Sequence, residues 1–161
     1  MSLWQIHAGK VPQYEEKLAK SMDRFFLRLR ADKPFMRFNY AIDNSSELFH
    51  INSHHNLTLE TLEKPLTLGQ LHLRVERQFL QRLPKSQAIV FSIRTYVTPI
   101  TEVTKDLNVA RALRTSVASY SPQVSKYKNK PLWDALLTAH LNEILPPTKE
   151  EAEEKEDTEG S

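Results

Sequence analysis

Apolar side chains recur every three or four residues along four stretches of the chain, which is the spacing of one face of an amphipathic helix. The predicted helices cover about residues 13–30, 67–83, 105–119 and 131–144. Pro34 closes the first helix and Pro84 the second, because proline cannot continue a helix. Thr67 followed three residues later by Gln70 predicts a capping box at the start of the second.

Two other stretches alternate between apolar and polar side chains, which predicts strands at about 35–42 and 88–97. In the first strand, Met36, Phe38 and Tyr40 face one side, and Arg37 and Asn39 face the other. Two strands do not make an independent sheet. The missing strands are therefore expected either in the irregular segment 43–66 or outside this chain.

Composition is that of an ordinary globular chain of 161 residues, with 40% hydrophobic and 26% charged residues. No apolar run approaches the roughly 20 residues that a membrane-spanning helix needs. The first residues lack the basic and apolar regions of a secretory signal, so a cytoplasmic location without membrane contact is expected. The chain has no cysteine, which excludes thiolate ligation and cysteine nucleophiles within it.

Charge is distributed unevenly along the chain. Residues 148–161 carry seven acidic side chains and two lysines, a net charge of −5. Since the whole chain carries +2, residues 1–147 carry +7. The basic residues are scattered through the predicted elements, so no nucleic-acid partner is expected. The organisation predicted is one body, residues 1–146, followed by a disordered acidic tail, residues 147–161.

Five segments occur in the order in which a known family has them. They are Ile6-His7-Ala8 with Val11-Pro12 and Tyr14, Met22-Asp23-Arg24-Phe25-Phe26, Met36-Arg37-Phe38-Asn39-Tyr40, Leu73-Arg74-Val75-Glu76-Arg77-Gln78 continuing to Phe91-Ser92-Ile93-Arg94-Thr95-Tyr96, and Tyr127-Lys128-Asn129. Over roughly residues 4–140 the chain thereby resembles the haem-dependent oxidative N-demethylase family (DUF3445). It departs from the family where Gly9-Lys10 replaces one proline, and where Asn129 replaces a glycine.

The resemblance implies an α+β fold, namely a portion of a PAS-like haem domain with a mixed antiparallel sheet and flanking helices. Family members carry further strands before the Ile-His segment, so the domain is expected to be incomplete at its amino terminus. The implied activity is oxidative removal of a methyl group from a small methylated amine, which releases formaldehyde. Haem and O₂ would be needed, with reducing equivalents from a separate reductase protein or domain.

The resemblance also implies candidate site residues. Without cysteine, the axial ligand of the haem iron would be a histidine or, second, a tyrosine. His7 is the first choice, because haem-binding PAS domains place the ligand in or beside the corresponding helix. The alternative is that His7 is an ordinary hydrogen-bonding loop residue. The pair His54-His55 is a weaker candidate, and His72 and His140 fall within predicted helices.

Glu76 is the candidate distal acid, since a carboxylate near the iron would hold an ammonium group and accept its proton. Arg37 and Asn39 are assigned to the catalytic site as donors to bound oxygen or to haem propionates. Arg74, Arg77 and Arg94 are assigned to the cofactor, because a guanidinium matches a carboxylate. The competing interpretation pairs each of these side chains in ordinary salt bridges, for example Glu76 with Arg74, Arg77 or Lys85 on a helix.

Two other functions remain open. One is a non-catalytic remnant or interaction module that has lost the cofactor. The other is a PAS-type haem sensor, which would need a signalling partner. The sequence contains no glycine-rich phosphate loop and no zinc-ligand spacing, so nucleotide and zinc chemistry are not expected in this chain.

Overall fold

An antiparallel sheet forms the centre of the fold. The computed structural model describes residues 13–49 and 65–146, and within them the sheet has three strands. These are β1 (Phe35–Asp43), β2 (His72–Arg82) and β3 (Ile89–Pro99). β2 lies in the middle and pairs with both neighbours, so the order in space equals the order in sequence.

Helices precede and follow the sheet. A π-helical turn, Tyr14–Leu18, leads into α1 (Ala19–Arg28), and a 3₁₀ turn, Leu68–Gln70, precedes β2. After the sheet come α2 (Ile100–Val103), α3 (Leu107–Ala118), α4 (Pro122–Tyr127) and α5 (Lys130–Ile144). The predicted helices at 13–30, 105–119 and 131–144 are thereby confirmed, and so are the predicted strands at 35–42 and 88–97.

The helix predicted over 67–83 is wrong, because most of this segment is β2. Arg74, Glu76 and Gln78 point to one face of the sheet, and Val75 and Phe79 point to the other. Leucine, arginine, glutamate and glutamine all favour helices, but pairing on both sides of the segment overrides that preference. The predicted capping box does form, since the amide N–H of Thr67 donates to Oε1 of Gln70 at 2.9 Å, yet it caps only the 3₁₀ turn.

β2 also changes the number of strands. The prediction of only two strands is wrong, because the described residues contain three. That further strands lie in 43–66 or outside the chain stays a prediction. The third strand comes from the segment that had been assigned to a helix. The fold is α+β, an open antiparallel sheet with flanking helices, as predicted. That the sheet belongs to a PAS-like domain stays a prediction.

The two faces of the sheet have different surroundings. One face, which carries Ile42 and Leu73, packs on α3 and α5 to form the hydrophobic core. The core contributions of these helices are Ala110, Leu113, Val117, Trp133, Leu137 and Leu141. The opposite face, which carries Arg37, Asn39 and Glu76, is called the site face.

α1 covers one end of the site face. The ring of Phe25 meets that of Phe35 edge-on, with centroids 5.0 Å apart. Arg82, at the end of β2, donates to the backbone carbonyls of Phe26 and Leu29 and so ties the last turn of α1 to the sheet. None of the described helices has the length and apolar character needed to cross a membrane.

Candidate functional site

A row of polar side chains crosses the site face from β1 to β2. The strand register sets Arg37 opposite Gln78 and Asn39 opposite Glu76. Directly opposite residues in an antiparallel pair share a face, so these four side chains meet. Nε of Arg37 donates to Oε1 of Gln78 at 2.6 Å, and Nε2 of Gln78 donates to Oε2 of Glu76 at 2.8 Å. The three residues predicted to be catalytic are thus brought together.

Within the described part of the chain, Glu76 is held at one oxygen only. Gln78 and Asn39 both donate to Oε2, the latter at 3.4 Å. Among the described residues, no donor contacts Oε1. A half-buried carboxylate held in this way keeps one acceptor oxygen for a ligand.

Lys128 brings a positive charge to the same place from the junction of α4 and α5. Its Nζ donates to the backbone carbonyl of Tyr40 and more weakly to Oδ1 of Asn39 at 3.5 Å, and it lies 5.0 Å from the centroid of the Tyr40 ring. Burial lowers the pKa of Lys128 below its usual value, and the nearby carboxylate of Glu76 partly offsets that effect.

The backbone after Lys128 explains how it reaches this position. Asn129 has φ 51° and ψ 31°, a left-handed conformation that asparagine tolerates better than most side chains. Nε1 of Trp133, from the first turn of α5, donates to the carbonyl of Lys128 at 3.1 Å. Asn129 therefore allows the chain to turn at this point and to carry Lys128 to the edge of β1.

Asn39, Glu76 and Lys128 face a cavity of about 480 Å³, a size within the range of small-molecule sites, whereas Arg37 and Gln78 do not line it. The site face of the sheet forms its floor. Segment 43–49, Leu66 and residues 127–133 form its walls. The lining mixes Asn39, Glu76 and Lys128 with apolar side chains, namely Ala41, Leu48, Ile93 and Leu132. This lining is complementary to a small ligand that has both charged and apolar parts.

Arg74 lines the same cavity, but its guanidinium donates to groups of the protein itself. Nε donates to Oδ2 of Asp43 at 2.9 Å, and both side chains are about nine-tenths buried. The two terminal nitrogens donate to the backbone carbonyls of Glu47 and Leu48. Arg74 thus holds segment 43–49 against β2 and forms part of the cavity wall. The sequence analysis considered a salt bridge between Arg74 and Glu76, whereas the structure pairs Arg74 with Asp43 on the neighbouring strand.

Arg77 and Arg94 lie on the other face of the sheet, directly opposite each other on β2 and β3. Both are exposed, and the guanidinium of Arg94 lies 5.4 Å from the centre of the Tyr96 ring. The structure therefore divides the residues predicted to bind the cofactor. Arg74 lies with the predicted catalytic residues, whereas Arg77 and Arg94 do not.

The histidines contribute little to the cavity as the structure describes it. His7, His54 and His55 lie outside the described residues. His72 begins β2, where a helix was predicted, and its Nδ1 lies 2.9 Å from the carbonyl oxygen of Gln70. His140 is on α5, as predicted, with Nε2 2.8 Å from Oγ1 of Thr104. Neither lines the cavity, and residues 13–49 and 65–146 contain no group of three or more metal-ligating side chains.

Sequence reasoning missed the roles of Gln78 and Lys128. Both lie in segments that carry the family resemblance, Leu73–Gln78 and Tyr127–Asn129, so a signal was present. The contact between Gln78 and Glu76 was not predicted, because residues two apart on a helix do not share a face. Lys128 is far from the sheet in sequence, and only the return of α4 and α5 brings it to β1.

The fold and the cavity define a class of protein: an α+β domain with a half-enclosed polar cavity on one face of its sheet. The family is given by sequence comparison, in which residues 1–138 match the model described as "Haem-dependent oxidative N-demethylase, alpha subunit-like". The match covers most of the chain, which therefore belongs to this family. The family resemblance seen in the sequence is confirmed.

Proposed function

We propose that this chain acts in the haem-dependent oxidative N-demethylation of a small methylated amine. The observation that carries the proposal is the open oxygen of Glu76 inside a half-enclosed cavity, in a chain that belongs to the N-demethylase family. Methylated alkylamines are cations at neutral pH. A carboxylate with one unoccupied oxygen is the group that would bind such a cation in a partly apolar site.

Each residue of the polar row has a part in this proposal. Glu76 would bind the ammonium through Oε1 and accept its proton, which makes the neutral amine available for oxidation. Gln78 and Asn39 hold the carboxylate in place, and Arg37 fixes Gln78. The apolar side chains of Ile93 and Leu132 would contact the methyl groups.

The haem would supply the oxidising chemistry. In the overall reaction, the amine, O₂, two electrons and two protons give the demethylated amine, formaldehyde and water. The electrons would come from a separate reductase. This chain's residues would bind the amine, orient its methyl group and hold its proton.

The described residues fit the substrate side of a haem site better than the side that binds iron. Of the residue types considered for the axial ligand, Tyr127 lines the cavity, and no described histidine does. We assign the axial ligand to His7. Arg77 and Arg94 lie on the opposite face of the sheet from this cavity, so their assignment to the cofactor stays a prediction that the cavity does not support.

A spectroscopic experiment tests the binding of haem. The chain is mixed with haemin and the Soret band is recorded for the wild type and for His7→Ala. A sharp band that the substitution abolishes supports His7 as the ligand. The broad absorbance of free haemin in the wild type would contradict haem binding and favour the non-catalytic remnant.

A second experiment tests turnover. Formaldehyde release from dimethylamine is measured with a surrogate reductase and NADH. We expect Glu76→Gln to abolish most of the activity while Glu102→Gln, an exposed glutamate paired with Lys105, has no effect. Haem binding without formaldehyde release would instead favour the sensor.

A further inference from the structure

Opposite charges face the cavity without neutralising each other directly. Within the described residues, neither oxygen of Glu76 forms an ion pair with Lys128. Both residues nevertheless line the cavity, and burial lowers the pKa of the Lys128 ammonium, an effect that the charge of the carboxylate partly offsets. Asn39 lies between them, since its amide donates to Glu76 and its oxygen accepts from Lys128. The cavity therefore presents a separated acceptor and donor.

Each of the two charged groups keeps unused hydrogen-bonding capacity. Oε1 of Glu76 has no donor among the described residues. Nζ of Lys128 has three N–H groups, of which two donate to Tyr40 and Asn39. One donor and one acceptor thus remain for a ligand, on opposite sides of Asn39.

A simple alkylamine would use only half of this arrangement. Its cation would bind Glu76 but would also lie in the field of Lys128, which repels it. A ligand that carries its own carboxylate would turn that repulsion into an attraction, because the carboxylate would accept from Lys128. The apolar lining would then receive the small remainder of the molecule.

We propose that the cavity selects a zwitterionic N-methylated amino acid, whose ammonium binds Glu76 and whose carboxylate binds Lys128. This inference names the substrate class and, for turnover, rests on the function proposed above. The binding itself needs neither haem nor reductase. It can therefore be measured separately from catalysis.

The experiment compares two small probes by isothermal titration calorimetry on the full chain, with haemin present and in its absence. Sarcosine carries both charges, and dimethylamine carries only the cation. We expect sarcosine to bind wild-type protein at least about tenfold more tightly, the factor expected from one added charge-assisted hydrogen bond.

Substitutions assign the preference to its two charged groups. Lys128→Met keeps the aliphatic stem and should remove the preference for sarcosine, while Lys128→Arg should largely restore it. Glu76→Gln should weaken both probes. Lys130→Met is the matched control, because Lys130 pairs with Asp134 and does not line the cavity. Circular dichroism and the melting temperature verify that each variant folds.

The possible outcomes separate this inference from the proposed function. Equal binding of sarcosine and dimethylamine by the wild type would overturn the inference, as would unchanged sarcosine affinity in folded Lys128→Met. Formaldehyde release from dimethylamine alone would overturn it while supporting the proposed function. Tight, Lys128-dependent binding of sarcosine without any formaldehyde release would support the selective cavity and contradict N-demethylation.

Discussion

Removing one partner of the buried ion pair between Arg74 and Asp43 should destabilise the cavity wall strongly. Their side chains are 11% and 10% exposed, and Nε and Oδ2 are 2.9 Å apart. Asp43→Ala would leave the guanidinium of Arg74 buried without its carboxylate. Removing one partner of a buried pair costs about 3–5 kcal/mol. For a chain of this size that corresponds to a fall of roughly 6–20 °C in Tm.

Urea and thermal unfolding followed by circular dichroism would measure this loss. The control is Asp32→Ala, which removes an arginine–aspartate pair with two hydrogen bonds, Arg30–Asp32, whose side chains are 65% and 61% exposed. We expect no resolvable change there, because exposed pairs contribute little.

The double variant Asp43→Ala with Arg74→Met tests the cause of the loss. If the buried guanidinium that has lost the Asp43 carboxylate is what destabilises Asp43→Ala, then removing that charge should restore much of the stability. A loss below about 1 kcal/mol in Asp43→Ala, or no recovery in the double variant, would refute the argument that Arg74 has a structural role and would free it for ligand binding.

Three further measurements concern the rest of the fold. Leu137→Ala, at a side chain 1% exposed, should cost about 2–5 kcal/mol in urea unfolding, and the partly buried Leu136→Ala distinctly less. Burial, and then a hydrogen bond to Tyr40, raise the pKa of Tyr120 above its usual 10.0. Above pH 10 the unfolded chain therefore loses the phenol proton that the folded chain retains, and the stability of the wild type should fall. Tyr120→Phe should lack this fall and be about 1 kcal/mol less stable at pH 7; parallel curves for the two proteins would contradict the assignment. Arg82→Met should speed amide exchange in the last turn of α1, whose carbonyls Arg82 binds, and unchanged exchange would show that the aromatic contacts alone hold the helix.

The sequence predicted the outer strands well because their surroundings leave a clear pattern. β1 alternates between the core side, with Tyr40 and Ile42, and the site side, with Arg37 and Asn39. A strand with one apolar and one polar face produces the period of two on which the prediction depends. The long helices α3 and α5 likewise bury one face each, and their three- and four-residue spacing predicted them correctly.

β2 was mistaken for a helix for a reason that concerns function. A central strand is usually apolar on both faces, but β2 carries Arg74, Glu76 and Gln78 on the face that forms the cavity floor. Those residues are good helix formers, and Leu71, Val75 and Phe79 happen to lie four residues apart. The polar residues on the cavity side are thus the ones that remove the apolar pattern of a central strand. The secondary-structure preference of single residues tends to disagree with the fold at functional sites.

The same reasoning explains which part of the site could be predicted. Arg37, Asn39 and Glu76 were found because each lies in a short segment that resembles the family, and pairing of neighbouring strands then brings them together. Lys128 approaches from 88 residues beyond Tyr40, whose carbonyl it binds. No periodic pattern encodes such a contact, since it depends on how α4 and α5 return to the edge of β1. Its local trace is Asn129, whose left-handed backbone turns the chain at this point. Because Lys128 is the group that would distinguish an amino acid from a plain amine, the selectivity of the cavity would depend on the contact that the sequence pattern does not show.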